Sequence, residues 1–192
     1  MSTEYTIRRK VLTLFGAKFH IYNAQGELAG FSQQKAFKLK EDIRIYADES
    51  KSRELMRIAA RSIIDWGAAY DVIDSATNAK VGALRRKGWS SMVRDSWSVL
   101  GPADQELGQI QEDSVTLALA RRLLPFANLI PQSYSLRQGA ADSGPAIAEY
   151  HTHFNPFIHK LTVIIPDECP LSPYLVLAGG ILLAAVEGRQ QD

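Results

Sequence analysis

Leu171-Ser172-Pro173-Tyr174-Leu175-Val176-Leu177-Ala178-Gly179-Gly180-Ile181-Leu182-Leu183-Ala184-Ala185-Val186 is the stretch on which the fold turns. It holds no charged side chain. Pro173 suits a first helical turn, and Glu187-Gly188-Arg189 supplies an end. A helix apolar on every side is either a membrane span or the centre of a large core. Spanning takes about 20 apolar residues, and this run has 16, Ser172 and Pro173 included. The Gly179-Gly180 pair weakens an isolated helix by about 2 kcal/mol relative to two alanines. It suits a helix whose backbone is approached closely inside a packed core. The expected structure is a buried core helix, with no transmembrane segment.

The rest of the chain reads as short strands. Lys18-Phe19-His20-Ile21-Tyr22 alternates polar and apolar, Gln25-Gly26 turns, and Leu28-Ala29-Gly30-Phe31 resumes. Tyr70-Asp71-Val72-Ile73-Asp74 and Lys80-Val81-Gly82-Ala83-Leu84 repeat the pattern about a polar turn. Further strands are expected at Tyr5–Leu14, Ile43–Ala47, Glu54–Ile58, Ile63–Trp66, Asp95–Leu100, Glu106–Gln111, Gln132–Arg137, Ala146–Phe154 and Phe157–Ile165. Many closely spaced short strands point to an all-β sandwich or barrel. A sheet closed around the apolar helix accommodates both signals.

A shift of 52 residues superposes parts of this pattern. Gly30 meets Gly82, Lys35 meets Lys87, Glu54-Leu55 meets Glu106-Leu107, and Ile58 meets Ile110. The match implies two related meanders. Ser114 caps a second expected helix, amphipathic, over Val115–Leu124, which Pro125 ends.

The chain has 192 residues, 46% of them apolar and 22% charged, which excludes disorder and fits one domain over residues 1–192. Net charge is +1, which argues against a nucleic-acid partner. The balance is uneven, about +6 over residues 1–100 and −5 over 101–192. The single cysteine, Cys169, rules out an internal disulfide, and the N-terminus has no apolar leader. A cytoplasmic protein is expected.

Catalytic motifs are missing: no Gly-x-Ser-x-Gly, no phosphate-binding glycine loop and no dinucleotide fingerprint. The expectation is a non-enzyme that needs no cofactor. One alternative is a metal-dependent enzyme or metal-binding protein. Glu149, His151 and His153 alternate along one strand and so share a face, a set of types that binds zinc. Ala148, Tyr150, Thr152 and Phe154 lie opposite and read as core, which turns the histidines to solvent. His159 shares the face of Leu161 and Val163 and points inward. The densest cations are Arg8-Arg9-Lys10, then Lys35, Lys38 and Lys40, then Arg85, Arg86 and Lys87. The last six are the candidate anion-binding residues, with Trp89 beside them.

Lys18–Asn23 with Gly26, Val81–Lys87, Arg94-Asp95-Ser96-Trp97, Glu106–Ile110, Asn155–Lys160 and the apolar C-terminal helix together carry a resemblance. In their order the chain resembles the LURP-one-related family of the tubby C-terminal-like superfamily, which includes phospholipid scramblases. The resemblance covers about Tyr5 to Val186. It implies a closed antiparallel β-barrel of about twelve strands around a hydrophobic C-terminal helix. It also implies a binding module for phosphoinositide-like or other anionic lipid headgroups, or for a protein partner, peripheral at the membrane. A scramblase-like membrane protein is a further alternative. The chain departs from scramblases in lacking a proline-rich N-terminus and a cysteine cluster, and only six residues follow Val186.

Overall fold

Alternating side chains on a strand face opposite ways, so a sheet with one dry face must close or be covered. Here it closes. The computed structural model describes residues 1–10, 17–34, 42–62, 69–87, 96–113, 131–139, 144–153 and 158–187. The strands are β1 (Ser2–Lys10), β2 (Ala17–Asn23), β3 (Leu28–Gln34), β4 (Ile43–Tyr46), β5 (Glu54–Ala60) and β6 (Ala69–Asp74). They continue with β7 (Ala79–Arg86), β8 (Ser96–Leu100), β9 (Glu106–Glu112), β10 (Ser133–Gln138), β11 (Ala146–His153) and β12 (Ile158–Pro166). Each pairs antiparallel with its sequence neighbours, and β1 pairs β12 from Ser2↔Pro166 to Lys10↔Ile158, closing a barrel of twelve strands. Helix α1 (Pro173–Glu187) follows. The expected strand at Ile63–Trp66 and the expected helix at Val115–Leu124 lie outside the described residues.

The helix is inside. An eight-stranded barrel is filled by its own side chains, whereas a wider one has room for more. Leu175, Val176, Ala178, Ile181, Leu182, Leu183, Ala184 and Ala185 are all buried, so α1 is dry around its whole circumference. Each large apolar side chain buried this way contributes about 1.5–3 kcal/mol. The Gly179-Gly180 pair sits where the wall comes closest. A Cβ at Gly179 would stand 2.7 Å from Ile110 Cδ1 and 2.9 Å from the Tyr150 hydroxyl. One at Gly180 would stand 2.8 Å from Val163 and 3.0 Å from Ile7. Tyr150 donates its hydroxyl proton to the Val176 carbonyl at 3.1 Å, which satisfies the phenol in a dry site. Burial pushes its ionisation far up, with the Cys169 thiol adding to it. At 15 residues, α1 is about 22 Å long, short of the ~30 Å hydrocarbon thickness. No described helix is long and apolar enough to cross a membrane.

The internal repeat is structural. The strand sequence β2–β5 recurs as β6–β9, and Glu54–Ala60 maps onto Glu106–Glu112 with the 52-residue shift. A register slip follows Ile21 in the β2–β3 pair and the equivalent Val72 in the β6–β7 pair. Bulges raise local twist and fix register, so the two meanders share a construction detail as well as a strand count.

Short turns at 24–27, 47–53, 75–78 and 101–105 occupy one end, and α1 enters there after the turn that follows β12. Asn23 shapes one of these turns, accepting hydrogen bonds from the Gln25 and Glu27 amides, while Gly26 takes φ 79°.

Candidate anion-binding face

Lys35, Lys38 and Lys40 belong to the β3–β4 connection, outside the described residues. Arg85, Arg86 and Lys87 stand where β7 ends, away from the 75–78 turn. Alternation divides them. Arg85 lies opposite Ser98 and is exposed. Arg86 lies opposite Trp97, a core residue, and takes the inner face. Lys87 is outside again, its Nζ 4.0 Å from Glu106 Oε1. Of the three cations adjacent in sequence, two are therefore on the wall and one within, while the other three expected members lie outside the described residues.

Glu149, His151 and His153 do share the outer face of β11, because Ala148 and Tyr150 take the inner one. His151 is engaged through both ring nitrogens and His153 through one. His151 joins Ser133 Oγ through Nδ1 at 3.0 Å and Glu149 Oε2 through Nε2 at 3.1 Å. His153 Nε2 meets Thr162 Oγ1 at 2.8 Å. Among the described residues, no three His, Cys, Asp or Glu side chains gather as a metal site. The Ser133–His151–Glu149 chain has the residue types of a nucleophile, base and orienting acid. It lies on a convex wall between strands paired on both sides, where the amides that would hold an oxyanion are committed to the ladder. His159 is buried on the inner face opposite Arg9, as its alternation predicts.

Several other cations are neutralised locally. Arg61 and Lys80 both bind Asp71 and Asp104 across β5, β6, β7 and the β8–β9 turn, with Lys80 Nζ 2.7 Å from Asp104 Oδ1 and 3.2 Å from Asp71 Oδ1. Hydrogen bonds from Arg61 and Lys80 hold the Asp104 carboxyl down to about 2. Burial of Asp71 works against its ionisation, yet the hydrogen bonds from the same two cations outweigh it and lower that carboxyl as well. Arg44 pairs with Glu54 at 2.9 Å.

One stretch of wall is different. Registers across four consecutive strands place His153 opposite Lys160, Lys160 opposite Arg8, and Arg8 opposite His20. Directly opposed residues have Cβ atoms about 4.5–5.5 Å apart, so these four form a continuous row from β11 through β12 and β1 to β2. Lys18, two residues from His20, is its diagonal neighbour. Arg8, Lys18 and Lys160 have no carboxylate within ion-pair distance among the described residues. The Arg8 guanidinium lies over the Tyr22 ring at 4.8 Å, which holds it along the wall. His20 binds Glu49 at 2.9 Å and leans on Phe31, ring centroids 5.0 Å apart. Partial burial, then the charges of Lys160 and His151, hold the His153 imidazole below its usual range. The acids of the same strands, Glu4 and Glu149, lie four residues further along, about 13 Å away at strand rise. Apart from Glu49 on His20, the cations of this stretch face one end of the wall and the carboxylates of its strands the other.

Arg8 belonged to a dense cationic run in the sequence, but Lys160 was isolated there. Only the closure pair β1–β12 joins them. The available signal was alternation: Ile7 and Arg9 turn inward, as do His159 and Leu161, which puts Arg8 and Lys160 outside together.

A family model described as LURP-one-related matches residues 28–168, most of the chain, from β3 to the turn after β12. No curated protein matches the chain.

Proposed function

The chain belongs to the LURP-one-related family, and we propose that it is a non-enzymatic binding module for an anionic ligand, a lipid headgroup or an acidic protein partner. Residues 1–192 act as one unit in this reading, in the cytoplasm and peripherally at a membrane. The observation that carries it is the opposed pair Arg8 and Lys160, charged, with no carboxylate within ion-pair distance among the described residues. A convex barrel wall cannot enclose a small substrate, but it can meet a charged surface. The committed amides around Ser133 and His151 likewise favour binding over acyl transfer. Near an anionic membrane each cation contributes about 1 kcal/mol.

Flotation with anionic and neutral vesicles tests the reading. The expected result is recovery with anionic vesicles alone, lost in Arg8→Glu/Lys160→Glu and retained in Arg85→Ala. Equal absence from both vesicle types removes the lipid form and leaves an acidic protein partner. Unchanged binding by the charge-reversed variant counts against the face itself.

A further inference from the structure

We infer that His153, Lys160, Arg8 and His20 form one phosphate-binding row, in which the histidines at its two ends tighten the hold by taking up protons. This rests on the anion-binding reading above and deepens it by naming the ligand chemistry and its control. The donors suit phosphate. Arg8 offers a planar fork, Lys160 a point charge, and each protonated imidazole an N–H, matching the oxygens of a phosphate monoester. The row crosses three inter-strand intervals, about 14 Å at the usual spacing. That is long enough for more than one phosphate, either on one soluble molecule or on neighbouring headgroups.

Protons enter through the ends. With both imidazoles neutral the row holds the charges of Arg8 and Lys160, and each proton taken up by an end histidine adds one. His153 faces Lys160 and Thr162 on β12 and His151 on its own strand, with Glu4 of β1 near enough to favour its charged form. Its cationic neighbours oppose its protonation. A phosphate between His153 and Lys160 replaces that repulsion with attraction, so ligand and proton favour each other's binding. His20 faces Arg8 on β1, Phe31 on β3, Tyr22 on its own strand and Glu49 from the β4–β5 turn. Glu49 offsets the charge His20 gains, so His153 carries the larger share of the effect.

The test uses the whole chain with inositol hexakisphosphate by titration calorimetry, and with phosphatidylcholine vesicles with and without phosphatidic acid by flotation. Both are run at pH 7.5 and 5.5. One added charge corresponds to about a fivefold gain, and because Glu49 offsets the charge on His20, binding is expected to strengthen by up to about fivefold at the lower pH. The phosphates themselves lose charge on acidification, which works against the gain, so its origin lies in the protein. His153→Gln should remove most of the rise and His20→Gln/His153→Gln all of it, with affinity at pH 7.5 preserved. Binding to the soluble probe alone assigns free polyphosphate, and binding to vesicles alone assigns headgroups; both support the phosphate chemistry. A wild-type affinity that does not rise, or a rise that survives in the double histidine variant, overturns the proton linkage while the anion-binding reading stands. No binding to either probe at either pH overturns the phosphate proposal and leaves an acidic protein partner, whereas unchanged binding in Arg8→Ala/Lys160→Ala overturns the anion-binding reading too.

Discussion

Gly179→Ala should destabilise the protein, against the ordinary rule for helices. In an exposed helix interior, alanine is better than glycine by about 1 kcal/mol. At this position the new methyl group would stand 2.7 Å from Ile110 Cδ1 and 2.9 Å from the Tyr150 hydroxyl. The isoleucine tip can move. The tyrosine is tethered, because its hydroxyl donates to the Val176 carbonyl. Overpacking costs about 1–3 kcal/mol, and displacing the buried hydroxyl from its acceptor about 1 more. Against the 1 kcal/mol of helix propensity, the net loss is about 1–3 kcal/mol. Tyr150→Phe deletes the clashing oxygen and the hydrogen bond together. In that background Gly179→Ala should cost at least about 1 kcal/mol less, a coupling measurable by double-mutant cycle. Urea unfolding followed by circular dichroism reads all four proteins. A gain of about 1 kcal/mol from Gly179→Ala in both backgrounds would refute the placement of α1 against the β9 and β11 wall.

The Arg61–Asp71–Lys80–Asp104 network gives an acid dependence. The Asp104 carboxyl is at about 2 in the fold and near 3.9 when unfolded. Its stabilisation is therefore present above about pH 4 and lost as pH falls toward 2. Asp104→Asn should flatten the thermal midpoint between these pH values, and an unchanged slope would show that the network does not assist folding. Leu182→Ala, which empties a fully buried position on α1, should cost about 2–5 kcal/mol in urea unfolding. A cost below about 0.5 kcal/mol, the range of surface substitutions, would mean that this side of the helix is wet.

The helix was legible because its signal is an absence. Sixteen positions without a charge admit few structures, and Gly179-Gly180 narrowed them to a packed core. Alternation marked the strands, and the 52-residue shift matched β2–β5 to β6–β9 because each meander is a local unit. The proposed anion-binding face was not legible in this way. Arg85, Arg86 and Lys87 look like a cluster along the chain, but a strand turns alternate neighbours to opposite faces. Arg8 and Lys160 are strangers along the chain, and a register pair between the first and last strands makes them neighbours. Side-chain period is a local property, whereas register between distant strands is set by the whole barrel. For that reason the polar character of the β11 face could be read from Ala148 and Tyr150, while its link to Lys160 and Arg8 could not.

The closure of β1 onto β12, with α1 made last, also orders events at the ribosome. Strand β1 is synthesised first and has only β2 to pair with until residues 158–166 emerge. The barrel then still lacks its filling, because residues 173–187 come later. During translation the inner faces of the finished strands stay wet and their edges open, a state prone to association with other chains. Long-range closure of this kind also slows folding. A premature stop anywhere before α1 therefore leaves an apolar inner face with nothing to cover it.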